Sequence, residues 1–574
     1  FQYNKLSEKK NYDLDGTFAS QINSFNVVDS FGNVTMNVID YNDGFVDSLL
    51  NQYTNNTALW HLGRLTRSEL RRYAPNAPPI KRVSAFEYHP TKGAMVKEIV
   101  EPDLADTFRI EKNYLHDAFG NVFSERIRFK DDGVWKTRGN TTQFDIRGRF
   151  IVQQTNDLGH ISKASYNNLF GHKKSVTDIN GIISYTYFDD FGRIKRAEGA
   201  DSSWTETMYR RCNGDCPPQA VTFTIETYAN GRTDKSYFDK MGREVKSETL
   251  GFKGRTIFTQ NKYNFSGRLI STSDPYYSGE TPKFSTISYD KLGREILREE
   301  TGGSISSKTY YGLGMKVVNP IGQTKTSYTF ANGKVQQSID NQGNELQFRY
   351  DAQGNTVKTI LPTGHEVISE FNILNQQTKL IDPDLGTYIY RYNAIGEIKY
   401  QRDPKGNEVF MKYDTLGRLI ERKELEDVSY FTYDSATNGI GMLAFKGNKM
   451  TPASSQYITH FTYQYDYLSR PVSTTYQAEG DSVTYTMTTE YDTLSRPVKL
   501  TYPTINGVQT RIRYTYDGLG YNDKIIDDIT NVVYWSLDSI NSQGQLTKYT
   551  LGNGNKVERM YDMEFDWINE IKTT

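Results

Sequence analysis

The residues with the widest chemical range are seven histidines, His61, His89, His116, His160, His172, His365 and His460. No two of them stand at an HxxxH or HExxH spacing, which would set two imidazoles beside one metal ion. Asp189-Asp190 is a carboxylate pair, and acid–base hydrolysis needs two carboxylates held in different environments. Here Asp189 reads as the first residue of a turn and Asp190 as its second. Asp13-Leu14-Asp15-Gly16 and Asp178-Ile179-Asn180-Gly181 share the opening of a calcium loop, but neither is followed by an acidic residue at the distance a full EF-hand loop requires. No GxSxG elbow, Walker A loop or GxGxxG fingerprint is present. The sequence therefore assigns no catalytic residue, no cofactor and no metal.

The two cysteines enclose Asn213-Gly214-Asp215, the wrong spacing for a CxxC redox or zinc motif. Two unpaired thiols in a turn are expected at Cys212 and Cys216. A small local disulfide is the alternative, because Asn-Gly-Asp turns tightly.

Whatever these residues do, the elements that hold them are built from an unusual composition. The chain has 574 residues, only 36% of them hydrophobic, yet it contains Tyr 42, Phe 29 and Gly 45. Aromatic strands joined by glycine turns fit that usage. Lys+Arg 68 against Asp+Glu 69 gives a net charge of -1, so no global field draws the chain to nucleic acid or an anionic membrane. No stretch approaches the roughly 18 apolar residues that would span a bilayer; runs such as Ile182-Ile183-Ser184-Tyr185-Thr186-Tyr187 are of strand length. Membrane insertion is not expected. The chain opens on Phe1 without an initiator Met or a signal-type apolar segment, and the expectation is a piece of something longer.

A period organises the middle of the chain. Phe330, Tyr350, Phe371, Tyr392, Tyr413 and Tyr433 follow one another at about 21 residues. Gly322, Gly343, Gly364, Gly386 and Gly406 keep the same period half a repeat out of phase. Two marks about ten residues apart leave strands of roughly six to eight residues between them, so the unit is a β-hairpin. Both marks share one turn chemistry, seen in Tyr413-Asp414-Thr415-Leu416-Gly417-Arg418 and in Asp403-Pro404-Lys405-Gly406-Asn407. Asp at the first position of a type I turn accepts a backbone N–H, Pro presets φ at the second, and Gly at the fourth takes φ > 0.

The same marks recur at Asp117 with Gly120; Asp189, Gly192 and Arg193; Asp239, Gly242 and Arg243; Asp290, Gly293 and Arg294; Asp351 with Gly354; and Gly396. Downstream the glycine gives way to Ser, after Tyr465-Asp466 and Tyr491-Asp492. These are expected to be structural turn residues. Alternating tyrosines, as in Tyr463-Gln464-Tyr465 and Tyr514-Thr515-Tyr516, place two rings on one strand face. The expected fold class is all-β. An N-terminal β region, 1–110, leads into a repeat wall, 111–574, most regular over 320–435.

A tandem Tyr-Asp-x-x-Gly-Arg at this period resembles the Rhs/YD-repeat family. Tyr12-Asp13-Leu14-Asp15-Gly16, Trp60-His61-Leu62-Gly63-Arg64-Leu65-Thr66, Phe86-Glu87-Tyr88-His89, Glu101-Pro102 and Ser273-Asp274-Pro275-Tyr276-Tyr277-Ser278-Gly279 are similar to landmarks of the B component of bacterial insecticidal toxin complexes. The resemblance implies hairpins coiled into a hollow β-sheet spiral that encloses a toxic effector polypeptide. It implies a C-type component that completes the shell, a translocation channel reached through a segment not present here, and a secreted bacterial toxin. The C-terminal Glu564-Phe565-Asp566-Trp567-Ile568-Asn569-Glu570 lacks an Asp-Pro-x-Gly-Leu-like plug, so self-cleavage is not carried over.

Area makes a shell reasonable. At ~3.3 Å per residue and ~4.8 Å between strands, the chain makes ~9,000 Å² of single-layer sheet, which closed as a sphere would enclose roughly 4–5 × 10⁴ Å³. The function expected is a non-enzymatic encapsulation scaffold. A cell-surface or intercellular adhesion module is the alternative, since exposed tyrosines suit glycan or protein contact.

Overall fold

In a computed structural model the chain is described over residues 3–562 and 567–574. Residues 564–566 of the C-terminal segment discussed above, and Phe1, lie outside the described residues. Among the described residues 48 strands form the secondary structure, with a single 3-10 turn at Phe252–Gly254. The ladders are antiparallel, and nearly all join strands that are neighbours in sequence. One departure is Thr256–Tyr263, which pairs with Leu269–Ser273 and also with Tyr276–Tyr277. The fold is all-β, a meander of YD-repeat hairpins.

Strands are short because the turns are frequent. Glu345–Tyr350, Thr356–Ile360 and Glu366–Phe371 each span five or six residues before a turn opening on Asp351, Leu361 or Asn372 closes the hairpin. Along Glu345–Tyr350 and Gln377–Asp382 every residue is half-buried, with no alternation between a dry and a wet face. That is the signature of one layer of sheet with side chains packed sideways, against their strand neighbours on both faces. No helix among the described residues is long and apolar enough to cross a membrane.

The chain divides into two compact units. The first comprises Phe1–Ile161, Lys308–Tyr430 and Met450–Ala453; the second comprises Ser162–Ser307, Phe431–Lys449 and Ser454–Thr574. Each unit combines an early run of hairpins with a later one. Within a unit the two runs meet end to end, turn against turn, and the buried apolar clusters lie there. In the first unit Phe45 and Ala74 of the early run pack with Ala352 of the later run, flanked by Phe330 and Tyr350. In the second, Phe252 packs with Leu537 and Ile540.

One expectation is corrected. Cys212 and Cys216 are not unpaired thiols; they are joined by a disulfide with a Cα–Cα separation of 5.6 Å. The backbone makes this close approach possible because Gly214 takes a left-handed φ of 91°, which folds the intervening Asn-Gly-Asp back on itself.

Candidate functional site: the repeat clasp and the seam

The Tyr-Asp-x-x-Gly-Arg motif builds the same small machine wherever it is complete. At 413–418, Gly417 donates its N–H to the Asp414 carbonyl at 3.1 Å, and Asp414 donates its own to the Arg418 carbonyl at 2.9 Å. The ladder slips one residue at this point, so that Tyr413 faces Leu419. Gly417 supplies the left-handed φ of 85° that such a bulged hairpin needs. Asp414 spends both carboxylate oxygens locally. Oδ1 accepts from the Leu416 and Arg418 N–H groups at 2.8 and 2.9 Å, and Oδ2 accepts from the Arg418 guanidinium at 2.7 Å.

Asp189 with Arg193, Asp239 with Arg243, Asp290 with Arg294, Asp466 with Arg470 and Asp492 with Arg496 repeat this arrangement. Where Asn replaces Arg, its side-chain amide donates to the same carboxylate oxygen: Asn121 to Asp117 at 3.1 Å, and Asn355 to Asp351 and Asn407 to Asp403 at 2.8 Å. The glycines are left-handed here too, at Gly120, Gly354 and Gly406, as is Gly396 in the turn that opens on Asn393, and Pro404 stands at the second position of its turn.

The role of the tyrosine and the second role of the arginine were missed in the sequence. Each motif tyrosine reaches to the previous motif. Tyr491 donates its hydroxyl to the carbonyl of Pro471, the residue after Arg470, at 2.9 Å, while its ring lies 4.6 Å from the Arg470 guanidinium. Tyr516 does the same with Pro497 and Arg496 and Tyr263 with Glu244 and Arg243; Tyr209, a strand residue outside the motif, makes the same pair of contacts with Ile194 and Arg193. The arginine thus holds its own turn through the aspartate and the next hairpin through a cation–π contact. Such a contact adds about 0.5–1 kcal/mol at exposed sites. The legible signal was that Tyr and Arg recur together rather than separately.

These contacts set the titration of the aspartates. Burial pushes the Asp466 carboxyl up, but the Arg470 guanidinium and the N–H groups of Arg470 and Leu468 outweigh it and hold it below the ordinary carboxylate range. Asp492 is held down in the same way, against burial, by the Arg496 N–H and guanidinium.

A second set of contacts forms the seam between the two runs of each unit. In the first unit Asp13 accepts the Gly312 N–H at 2.9 Å and Asp43 accepts the Ala331 N–H at 2.7 Å. Arg138 pairs with Glu397 and donates to the Asp414 carbonyl at 2.9 Å, and Lys399 reaches Asp131 at 3.2 Å. Glu397 stands where the motif usually has Arg; its turn begins with Asn393 instead of Asp, and the carboxylate accepts both the Asn393 amide, at 2.6 Å, and Arg138. Glu101, 2% exposed, pairs with Arg82, which also donates to Gln353 at 3.1 Å.

In the second unit the Asn180 amide bridges the N–H and carbonyl of Ile440, both at 2.9 Å. Asn230 donates to the Leu519 carbonyl at 2.9 Å, and Tyr277 to the Ile540 carbonyl at 3.0 Å. The Ser495 hydroxyl donates to Asp201 at 2.7 Å. Ser495 therefore has a use at a position where glycine is normal: it adopts a left-handed φ of 61°, and its side chain stitches the seam. The Asp178-Ile179-Asn180-Gly181 turn acts here as a seam element.

Of the histidines, His172 stacks on Phe188 and His460 on Phe445. Among the described residues no group of three His, Cys, Asp or Glu side chains converges on a metal-sized space. What the geometry can do is mechanical: lock hairpin to hairpin sideways and run to run endwise.

Comparison with known proteins agrees with this construction. The Teneurin YD-shell family matches residues 243–450. Among solved structures, TcdB2–TccC3 superposes with a TM-score of 0.63 at 12% identity, over 99% of this chain and 40% of that one. The chain has the fold of these Tc toxin structures, and its residues 243–450 are similar to the Teneurin YD-shell family. The Photorhabdus luminescens Tc holotoxin pore matches this chain with a TM-score of 0.66 at 12% identity, again over 99% of this chain and 40% of that one. TcdB2–TccC3 without its hypervariable C-terminal region gives 0.63 at 11%, over 99% and 41%. The chain therefore spans about two-fifths of the length of the solved chains it matches. No curated protein matches it by sequence.

Proposed function

We propose that this chain is wall: a non-enzymatic encapsulation scaffold of the B-component type that encloses a toxic effector polypeptide before delivery. In this reading residues 1–110 lead into the wall of 111–574. A C-type component completes the shell, a translocation channel is engaged through sequence outside these residues, and the protein works outside the cell that makes it. The observation that carries the reading is the match of 99% of the chain to the fold of TcdB2–TccC3. Two features of the chain support it. The sheet is one layer thick, so its side chains are not spent on a core, and the motif carboxylates are committed to their own turns. Confinement then acts physically, by denying the cargo room to fold or to meet a protease.

The match of residues 243–450 to the Teneurin YD-shell favours a second reading, an adhesion module that displays binding domains. One experiment separates the two. The chain is expressed with the coding sequence that flanks it, then examined by electron microscopy and limited proteolysis. Encapsulation requires a hollow particle whose enclosed polypeptide survives protease until the wall is opened. The double variant Gly396→Val with Gly417→Val should expose that polypeptide, whereas single His→Ala variants should not. An open sheet with no protected polypeptide, together with saturable binding to a cell surface or glycan, would select adhesion. A single His or Asp substitution that abolished function in a closed particle would reveal a chemical site instead.

A further inference from the structure

Asparagine directly before glycine is the dipeptide most prone to lose its side-chain amide. Glycine has no Cβ to block the approach, so its backbone nitrogen can attack the Asn Cγ. Ammonia leaves, and the succinimide ring so formed takes up water to give Asp or isoaspartate. One water is consumed and one ammonia released, with no change of oxidation state. The reaction needs a side-chain amide that can swing and a glycine N–H free of its hydrogen bond, so an amide held inside a closed contact is protected until that contact opens.

Among the Asn-Gly pairs of the second unit, those at 180–181, 230–231 and 553–554 close the same kind of turn. Each has a left-handed glycine, whose N–H returns to the first residue of the turn: Asp178 at 3.1 Å, Tyr228 at 2.8 Å and Leu551 at 2.9 Å. Asn230 and Asn553 are alike in a further bond, since each Oδ1 accepts the N–H two residues on, from Arg232 at 3.2 Å and Asn555 at 3.1 Å. They differ at the amide nitrogen. Asn230 Nδ2 donates across the seam to the Leu519 carbonyl at 2.9 Å, whereas Asn553 is exposed. Asn180 is held at both ends of its amide, donating to the Ile440 carbonyl and accepting the Ile440 N–H, each at 2.9 Å.

The seam needs an amide at 180 and 230, because the group each one faces is a carbonyl oxygen that only a donor can meet. Where the facing group is itself a donor, the Ser495 hydroxyl, the seam carries Asp201 instead. Conversion of Asn180 or Asn230 to a carboxylate would remove the donor and set oxygen against oxygen in a part-buried place. Isoaspartate would also add a methylene to the backbone of the turn.

We infer that Asn180 and Asn230 are modification sites that make opening of this seam a one-way event. While the seam is closed the two amides are held and stay intact. Once it opens they deamidate as Asn553 does, and the carboxylates formed keep the two runs from closing again. The inference stands on the seam geometry and is independent of the encapsulation reading.

The test is peptide mapping by mass spectrometry of the whole chain after incubation in mildly alkaline buffer made with heavy-oxygen water, which labels each hydrolysed succinimide. In the unmodified chain Asn553 should convert about tenfold faster, or more, than Asn180 or Asn230. Gly520→Ala places a Cβ 3.1 Å from the Asn230 amide and should raise conversion at Asn230 to the rate of Asn553, leaving Asn180 and Asn553 unchanged. Gly441→Ala, whose Cβ would stand 2.9 Å from Ile179 Cδ1, should do the same for Asn180. A urea series below the unfolding midpoint makes the comparison without a substitution: the rates at Asn180 and Asn230 should rise to that of Asn553. Asn180→Asp with Asn230→Asp, which reproduces the product, should speed hydrogen exchange of the Ile440 amide about tenfold, while Asn553→Asp should leave it unchanged. Equal conversion at Asn553 and Asn230 in the unmodified chain would overturn the inference. So would rates at the two seam sites that do not rise in urea, or unchanged Ile440 exchange in the double Asp variant.

Discussion

The motif turns of the early and later runs are chemically alike and physically different. Asp239-Lys240-Met241-Gly242-Arg243 and Asp492-Thr493-Leu494-Ser495-Arg496 make the same Asp–Arg clasp, at 2.8 and 2.7 Å. Yet Met241 is exposed while Leu494 is half-buried beneath the other run. The clasp is therefore local, and it forms whether or not anything covers it. Burial is added by the seam, so the seam is where substitutions should be felt most.

The largest effect is expected from Arg82→Ala, which strands the buried Glu101 carboxylate without its partner. Breaking a buried pair costs about 3–5 kcal/mol, and urea denaturation should show a loss in that range. Ala394→Asp, at a buried seam turn, should cost about 3 kcal/mol, whereas Phe191→Asp on an exposed motif turn should stay within about 0.5 kcal/mol. Equal losses for the two would erase the distinction between covered and free turns.

Gly417→Val and Gly242→Val sharpen the comparison further. Both positions are left-handed, at φ 85° and 76°, so each substitution carries backbone strain of about 1–3 kcal/mol. A Cβ at Gly417 would also meet Glu397 at 2.9 Å and Arg138 at 3.1 Å, while nothing lies within 4 Å of one at Gly242. Gly417→Val should therefore be the worse of the pair by about 1 kcal/mol in thermal or urea unfolding.

Tyr491→Phe removes the hydroxyl bond to Pro471 and keeps the ring over Arg470; a loss of about 0.5–1 kcal/mol is expected from a single neutral hydrogen bond. The smallest signal is in pH. Asp466, Asp492, Asp239 and Asp290 are all held below the ordinary carboxylate range. Depressed carboxylates contribute stability that is complete above the unfolded value, about 3.9, and is lost as pH falls through the folded values. Stability should be flat in these groups from pH 6 to 8 and decline below about pH 4, and Asp466→Asn should make that decline shallower.

The hairpin was legible because its determinants are contiguous. Asp414, Gly417 and Arg418 lie within five residues of one another, and turn chemistry acts over that range. The strand lengths, the all-β class and the family resemblance came from the same periodic marks. The tyrosine-to-arginine clasp was half legible: its two ends recur about 20 residues apart, but only the ladder register shows that Tyr491 lands on Arg470 and Pro471. At Cys212 and Cys216 composition pointed one way and local geometry the other, because a pairing between two thiols depends on a left-handed glycine that the spacing alone does not reveal.

By itself the sequence determined that each Asp-x-x-Gly closes a turn and that turns alternate with short aromatic strands, since these follow from φ preferences and side-chain-to-backbone hydrogen bonds within a few residues. Only the tertiary structure decided which turns are covered. Arg138 meets Glu397 across 259 residues and Asn230 meets Leu519 across 289, and no local periodicity encodes a partner at that distance. The same Asp-x-x-Gly turn is thus a seam or a bare edge according to how the meander returns upon itself, because burial belongs to the neighbour a turn acquires rather than to the turn.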